Sequence, residues 1–300
     1  MSWIYSIAFF LQAVFTPGAN RVDGKHVPVA HHIRKQKIAV LDTTVNECSA
    51  LTIVRDSSDY FLTVNDSGGK PEVYAVSSGG NLLQTFVIPK AVNKDWEEVE
   101  QYTDSLNRLH IIIGDMGNNR NKRRDLCLYD YMPAANTTVK HTFYYEDQTS
   151  FPPSEDSLNY DCEAFFILDS SYYFLSKNRS AGDVKLYQLP RDTSAHKAVI
   201  IQRLKMKGMI TSCSLIQNDF TTTLAVLMYG RIFLFDIGLP SLESEFDKTT
   251  LRPGAVIKFP RSGQAEGIAI VNTSLMLVTN EKGKIFRLTE RSGHKNRQHK

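Results

Sequence analysis

The chain has 300 residues, 42% of them hydrophobic and 22% charged, and a formal net charge of +3. This is the balance of a soluble globular protein with a sizeable core, and it excludes a low-complexity chain. The basic excess is local, in RNKRR (120–124) and in the tail from Arg287 to Lys300, which reads as a solvated tail. No helix–turn–helix, zinc-finger or RNA-binding pattern accompanies it, so no nucleic-acid partner is expected.

At the N-terminus, Trp3 to Phe15 form an apolar run interrupted by Ser6 and Gln12. A bilayer span needs about 20 apolar residues, so the run fits a secretory signal over 1–19 better than a transmembrane helix. The expected location is therefore extracellular, with a membrane-anchored N-terminal segment as the alternative. Asn-x-Ser/Thr sequons at Asn65, Asn136, Asn178 and Asn272 agree with a secreted glycoprotein. The four cysteines (Cys48, Cys127, Cys162, Cys213) follow no metal-binding spacing and read mainly as small buried thiols.

From residue 37 onward, strand chemistry dominates. YFLTVNDSGGKPEVYAV, LHIIIGDMGNNRNKRRDLCLYDY, YYFLSKNRSAGDVKLYQL, TLAVLMYGRIFLFDI and LMLVTNEKGKIFRL each read as strand, polar turn, strand. Ahead of each stands a shorter strand with a polar start: ECSAL, DWEEV, DCEAF, TSCSL and QAEGI. Aligned on their third residues (Ser49, Glu97, Glu163, Cys213, Glu266), they recur at intervals of 48, 66, 50 and 53 residues. That is close to the spacing of propeller blades, and the long interval contains an inserted loop near 150–159. Fourth strands are expected at 82–88, 141–146, 198–204 and 255–259. The last unit has none after it, and KIAVL (37–41) is placed to supply it from the N-terminus and close the ring. The expectation is an all-β, five-bladed β-propeller over 37–290 with four-stranded blades, followed by a flexible tail (291–300). A six-bladed ring with a blade hidden in 130–160 is the alternative.

Residues two apart on a strand share a side. Ser49, Glu97, Glu163, Cys213 and Glu266, and with them Glu47, Asp95, Asp161, Thr211 and Gln264, are thus expected to face the central channel. Six carboxylates converging there need water, protons or a cation, and oxygen donors without histidine favour a hard ion such as Ca²⁺. The hairpin turns add Asp66 and Asp115 as ligands, although Asn, Asp and Gly are also what turns require. Cys48 and Cys162 fall between the channel positions and are expected to pack between blades, while Cys213 shares the glutamates' register. No Gly-x-Ser-x-Gly elbow, P-loop or dinucleotide fingerprint appears, and no histidine falls in the repeated positions.

NDSGGKPEVYAV, DWEEV, GDMGNNRNKRR, DCEAFF and QAEGIAI, in that order, resemble a family of uncharacterised secreted propellers and are more distantly similar to gluconolactonase/paraoxonase and phytase-like calcium propellers. The resemblance implies a Ca²⁺-dependent hydrolase of an ester, lactone or phosphoester. The metal ligands would be Glu97, Glu163, Glu266, Asp66 and Asp115, with Asp95 or Asp161 as catalytic base. Ser49 and Cys213 interrupt its ring of carboxylates. The alternative is a non-catalytic extracellular binding or scaffold propeller holding a structural ion. A monomer acting on a small molecule, or binding an extracellular protein, is expected.

Overall fold

The computed structural model describes residues 21–290 except 31–32, 55–56, 58, 180–182, 220, 239–248 and 260–261. The expected signal segment and basic tail lie outside the described residues.

Five antiparallel sheets follow one another along the chain, and each begins at its innermost strand. Blade I comprises Thr52–Ile53, Phe61–Val64, Glu72–Val76 and Leu82–Val87; blade II comprises Trp96–Thr103, Leu109–Asp115, Cys127–Met132 and Thr137–Thr142. Blade III runs through Asp161–Leu168, Ser171–Lys177, Val184–Pro190 and Lys197–Leu204; blade IV through Ile210–Gln217, Thr222–Met228, Arg231–Gly238 and Thr250–Lys258. Blade V takes Ala265–Asn272, Leu275–Asn280 and Lys284–Glu290, and its fourth strand is Ile33–Val40, antiparallel to the third. The N-terminal strand thus closes the ring as expected.

The core proves the ring independently. Among the described residues five separate apolar clusters form, and each is shared by two successive blades, including one between V and I built from Leu41, Leu51, Phe61, Leu277 and Ile285. Alternation does this: in blade III, Phe165 and Phe174 pack toward blade II while Phe166 and Leu175 pack toward blade IV. A ring of five seams has five blades, so the six-bladed alternative falls. Residues 130–160 hold the end of blade II and an insert.

Several boundaries differ from expectation: the inner strand of blade I is Thr52–Ile53, just beyond ECSAL, and the fourth strand of blade IV is Thr250–Lys258 rather than 255–259. Blade II's fourth strand is Thr137–Thr142, not 141–146; the segment Tyr144–Tyr145 instead adds a parallel fifth strand to the outer edge of blade III. The insert is pinned there by a buried network. Asp147 accepts from Lys185 Nζ at 2.7 Å and Tyr187 OH at 2.8 Å, and Lys185 lies 3.9 Å over the Tyr160 ring. Ordered structure also begins before residue 37: Val29–Ala30 adds a parallel strand to blade IV, and a two-strand hairpin starts at Arg21. Among the described residues no helix is long and apolar enough to cross a membrane.

Candidate metal centre

In a propeller the faces of each blade meet the neighbouring blades, so a regular inner strand points its side chains into the seams and only its edge toward the axis. A β-bulge changes that, because the extra residue is unpaired and its side chain is re-aimed. The inner strands of blades II to V bulge at the same place. Glu97 falls between the pairs Trp96↔Asp115 and Glu98↔Gly114, Glu163 between Cys162↔Ser176 and Ala164↔Leu175, and Glu266 between Ala265↔Asn280 and Gly267↔Thr279. All three reach one cavity of about 240 Å³, with Ser49.

The blade IV bulge falls on Thr211, between Ile210↔Met228 and Ser212↔Leu227. Thr211, not Cys213, is therefore the equivalent of the glutamates. Cys213 lies two residues further on, in the core between blades III and IV, where burial and then the Glu98 charge push its thiol pKa well up. All four cysteines are free and buried, as expected for small packing thiols.

The bulge also separates residues that simple period-2 reasoning put together. Asp161 is fully buried: it accepts from the Asn118 N–H at 2.7 Å and from Arg179 Nε at 2.7 Å, and it does not line the cavity. Its position suits holding Arg179 rather than meeting a substrate. Asp115 is likewise enclosed, paired with Arg123 at 2.7 Å and accepting from the Asp95 N–H at 3.2 Å. It supports the cavity wall from behind.

Around the cavity the protein supplies two cations that the sequence reading did not assign. Lys177 Nζ contacts Glu163, and Arg179 reaches Glu163 at 3.6 Å and Asn119 as well. Burial alone would lower the Lys177 pKa; the Glu163 charge outweighs it, so the ammonium is held above its ordinary value. The blade III side of the ring is thus neutralised from within.

The carboxylates that blades I and II bring to the axis form no ion pair among the described residues. Asp66 from blade I and Asp95 and Glu97 from blade II offer carboxylate oxygens that all lie within 4.8 Å of one another. Glu97 is 5% exposed, and Ser49 Oγ donates to it at 3.3 Å. Burial first, and then the neighbouring carboxylates, push Glu97 well above the usual range and Asp95 up to about 6; Asp66 is raised too. Glu266 stands across the cavity with Tyr229 OH donating to it at 3.2 Å, and burial lifts it to about 7. Three converging oxygen donors with no nitrogen or sulfur suit a hard divalent cation, whose remaining positions water can fill.

Gly117 explains how the loop GDMGNN closes on this group. Its N–H donates to the Asp95 carbonyl at 3.1 Å, and a Cβ there would collide with the carboxylates of Glu97 and Asp95. Gly117→Ala should therefore displace the Glu97 and Asp95 carboxylates and weaken the calcium binding proposed below at least tenfold, while far-ultraviolet circular dichroism stays unchanged. Calorimetric titration checks this, and unaltered affinity would show that the loop does not shape the site. Asn118 and Asn121 are structural: Asn121 Oδ1 accepts from the Tyr160 N–H at 2.7 Å and Asn118 Oδ1 from the Arg123 N–H at 3.0 Å.

No family model matches the chain, and no curated protein matches it. Solved structures similar to it include the hydrazine synthase of Kuenenia stuttgartiensis, at TM-score 0.41 and 7% identity over 77% of this chain. The match spans 61% of that synthase chain. Another is a structural-genomics protein of unknown function from Bacteroides thetaiotaomicron VPI-5482, at TM-score 0.41 and 10% identity, covering 89% of this chain and 80% of the other. Likeness at this level carries no function across. The propeller stands on its own sheets and seams.

Proposed function

We propose that the protein is a secreted, monomeric calcium-binding propeller that hydrolyses an ester, lactone or phosphoester in its central cavity. The observation that carries this is the Asp66–Asp95–Glu97 group, three carboxylates within 4.8 Å that form no ion pair with Lys or Arg among the described residues, beside room for a small molecule. Such crowding raises carboxylate pKa values unless a cation is bound. When bound, the ion would polarise a carbonyl or phosphoryl oxygen. Glu266, facing the same space and poised near neutrality, is the better base for an attacking water than Asp95, which belongs to the ligand group, or Asp161, which is locked to Arg179. Exposed sequons at Asn136 and Asn272 support the secreted reading, whereas Asn65 is buried and bonded to the Thr44 carbonyl.

One observation favours the second reading. Asp66 and the Asp95–Glu97 pair come from adjacent blades, so an ion there would also staple the I–II seam in a non-catalytic extracellular module. The test is calcium binding followed by turnover of ester, lactone and phosphoester panels. Glu97→Gln should lose calcium affinity at least tenfold, and Glu266→Gln should keep that affinity and lose turnover. Calcium binding with no turnover of any substrate selects the scaffold reading; no calcium binding overturns both.

A further inference from the structure

The two mouths of the channel are chemically opposite. At the end away from the carboxylates, every blade ends its inner strand in a half-buried apolar side chain: Ile53, Tyr102, Ile167, Leu215 and Val271. Together they line an open cleft of about 900 Å³, within the size range of small-molecule sites. Arg191, just beyond the third strand of blade III, also lines it, with its guanidinium 4.2 Å over the Tyr102 ring.

Arg191 is the informative residue. Its Nε is closed off from solvent and donates to no atom. The carboxylates nearest the Tyr102 stack are already taken, Asp104 by Arg108 at 2.6 Å and Asp130 by His110 at 2.7 Å, and the Tyr102 ring is stacked on His110 at 4.6 Å. The guanidinium is thus held flat on an aromatic platform, its Nε turned into the protein and its two Nη groups, hydrogen-bonded to no described residue, left to meet a ligand in the cleft. A carboxylate or similar oxyanion is the group whose geometry answers the guanidinium fork. Asp169 and Asp219 on the exposed rim repel an anion there, so among the described lining residues Arg191 is the place for the acid group.

We propose that this mouth is a second binding site, for amphipathic carboxylates: the acid group pairs with Arg191 and the apolar body lies on the five-blade ring. The site is independent of the central cavity, so it is tested with chelator present, which also prevents calcium soaps. Calorimetric titration with decanoate should give saturable binding at one per chain, and decanol should bind at least tenfold more weakly. Arg191→Met should weaken decanoate at least tenfold and abolish the preference over decanol, with Arg191→Lys intermediate and melting temperatures unchanged. Leu215→Asp, at a half-exposed position, should weaken both ligands and serves if the Arg191 variants fold poorly. The proposal is overturned if decanoate does not bind saturably, if decanol binds equally well, or if decanoate affinity survives both Arg191→Met and Leu215→Asp.

Discussion

Gly267→Ala is expected to lower the melting temperature by about 10 °C or more. Gly267 sits on the inner strand of blade V, where the ring closes against blade I. A Cβ at that position would lie 2.7 Å from the Ala50 carbonyl carbon and 2.9 Å from its oxygen, and would also strike Thr279 Oγ1. Two of those atoms are backbone and cannot rotate aside, so the seam must open. Overpacking costs ~1–3 kcal/mol when side chains can give way, and more when they cannot. For a chain this long each kcal/mol corresponds to about 2–4 °C. The V–I seam is also the one closed by strands from opposite ends of the chain, so its loss is not confined to one hairpin. Differential scanning calorimetry reads the effect. A shift under 2 °C would mean that the blades can separate locally without loss, contrary to a tightly closed ring.

Much of the ring was legible in the sequence because its cause is local. Five strand–turn–strand units, each led by a polar-starting strand, give the blade count, and a last unit without its fourth strand requires one from the N-terminus. What could not be read was phase. A bulge adds one residue without any composition of its own, so nothing in TSCSL distinguishes Thr211 from Cys213 as the axial residue; only pairing with the neighbouring strand does. The same bulge separates Asp161 from Glu163, which period-2 reasoning put side by side.

The missing cations had a signal that hairpin arithmetic could have found. Asp161 pairs directly with Lys177 across the first hairpin of blade III, and Arg179 follows two residues later. SKNRSAG was read as turn chemistry, yet a strand that starts with two carboxylates in a closed channel needs compensation, and its hairpin partner is the nearest source. Glu98 is a residue of the same kind. It is fully buried and reaches from blade II to Ser212 Oγ of blade IV at 2.6 Å, spanning blades that are not neighbours. Nothing in DWEEV marks it apart from Glu97. Contacts across a ring have no sequence period to reveal them.

On the proposed calcium reading, the carboxylates of the central cavity give the second large effect, a stability that depends on pH and calcium together. Asp95, pushed up to about 6, and Glu266, lifted to about 7, hold their protons more tightly in the folded chain than in the unfolded one. For acids shifted upward, the folded state binds the extra protons. Their contribution is full below the unfolded values near 4 and is lost as pH rises through the folded ones. Without divalent ions, the melting temperature should therefore fall between pH 5 and pH 7.5. Below pH 4 the trend reverses, because carboxylates such as Asp104, held low by Arg108, then lose their partners. Calcium competes with those same protons, so its affinity should rise across the window in which the apo protein weakens. At pH 7.5 and a calcium concentration a hundredfold above its dissociation constant, binding adds about 2.7 kcal/mol, or roughly 5–10 °C. The chelated and calcium-loaded melting curves should diverge steadily from pH 5 upward. If the chelated protein instead gains stability over that range, the central carboxylates are already neutralised by their own surroundings, and Asp66, Asp95 and Glu97 have no need of an ion.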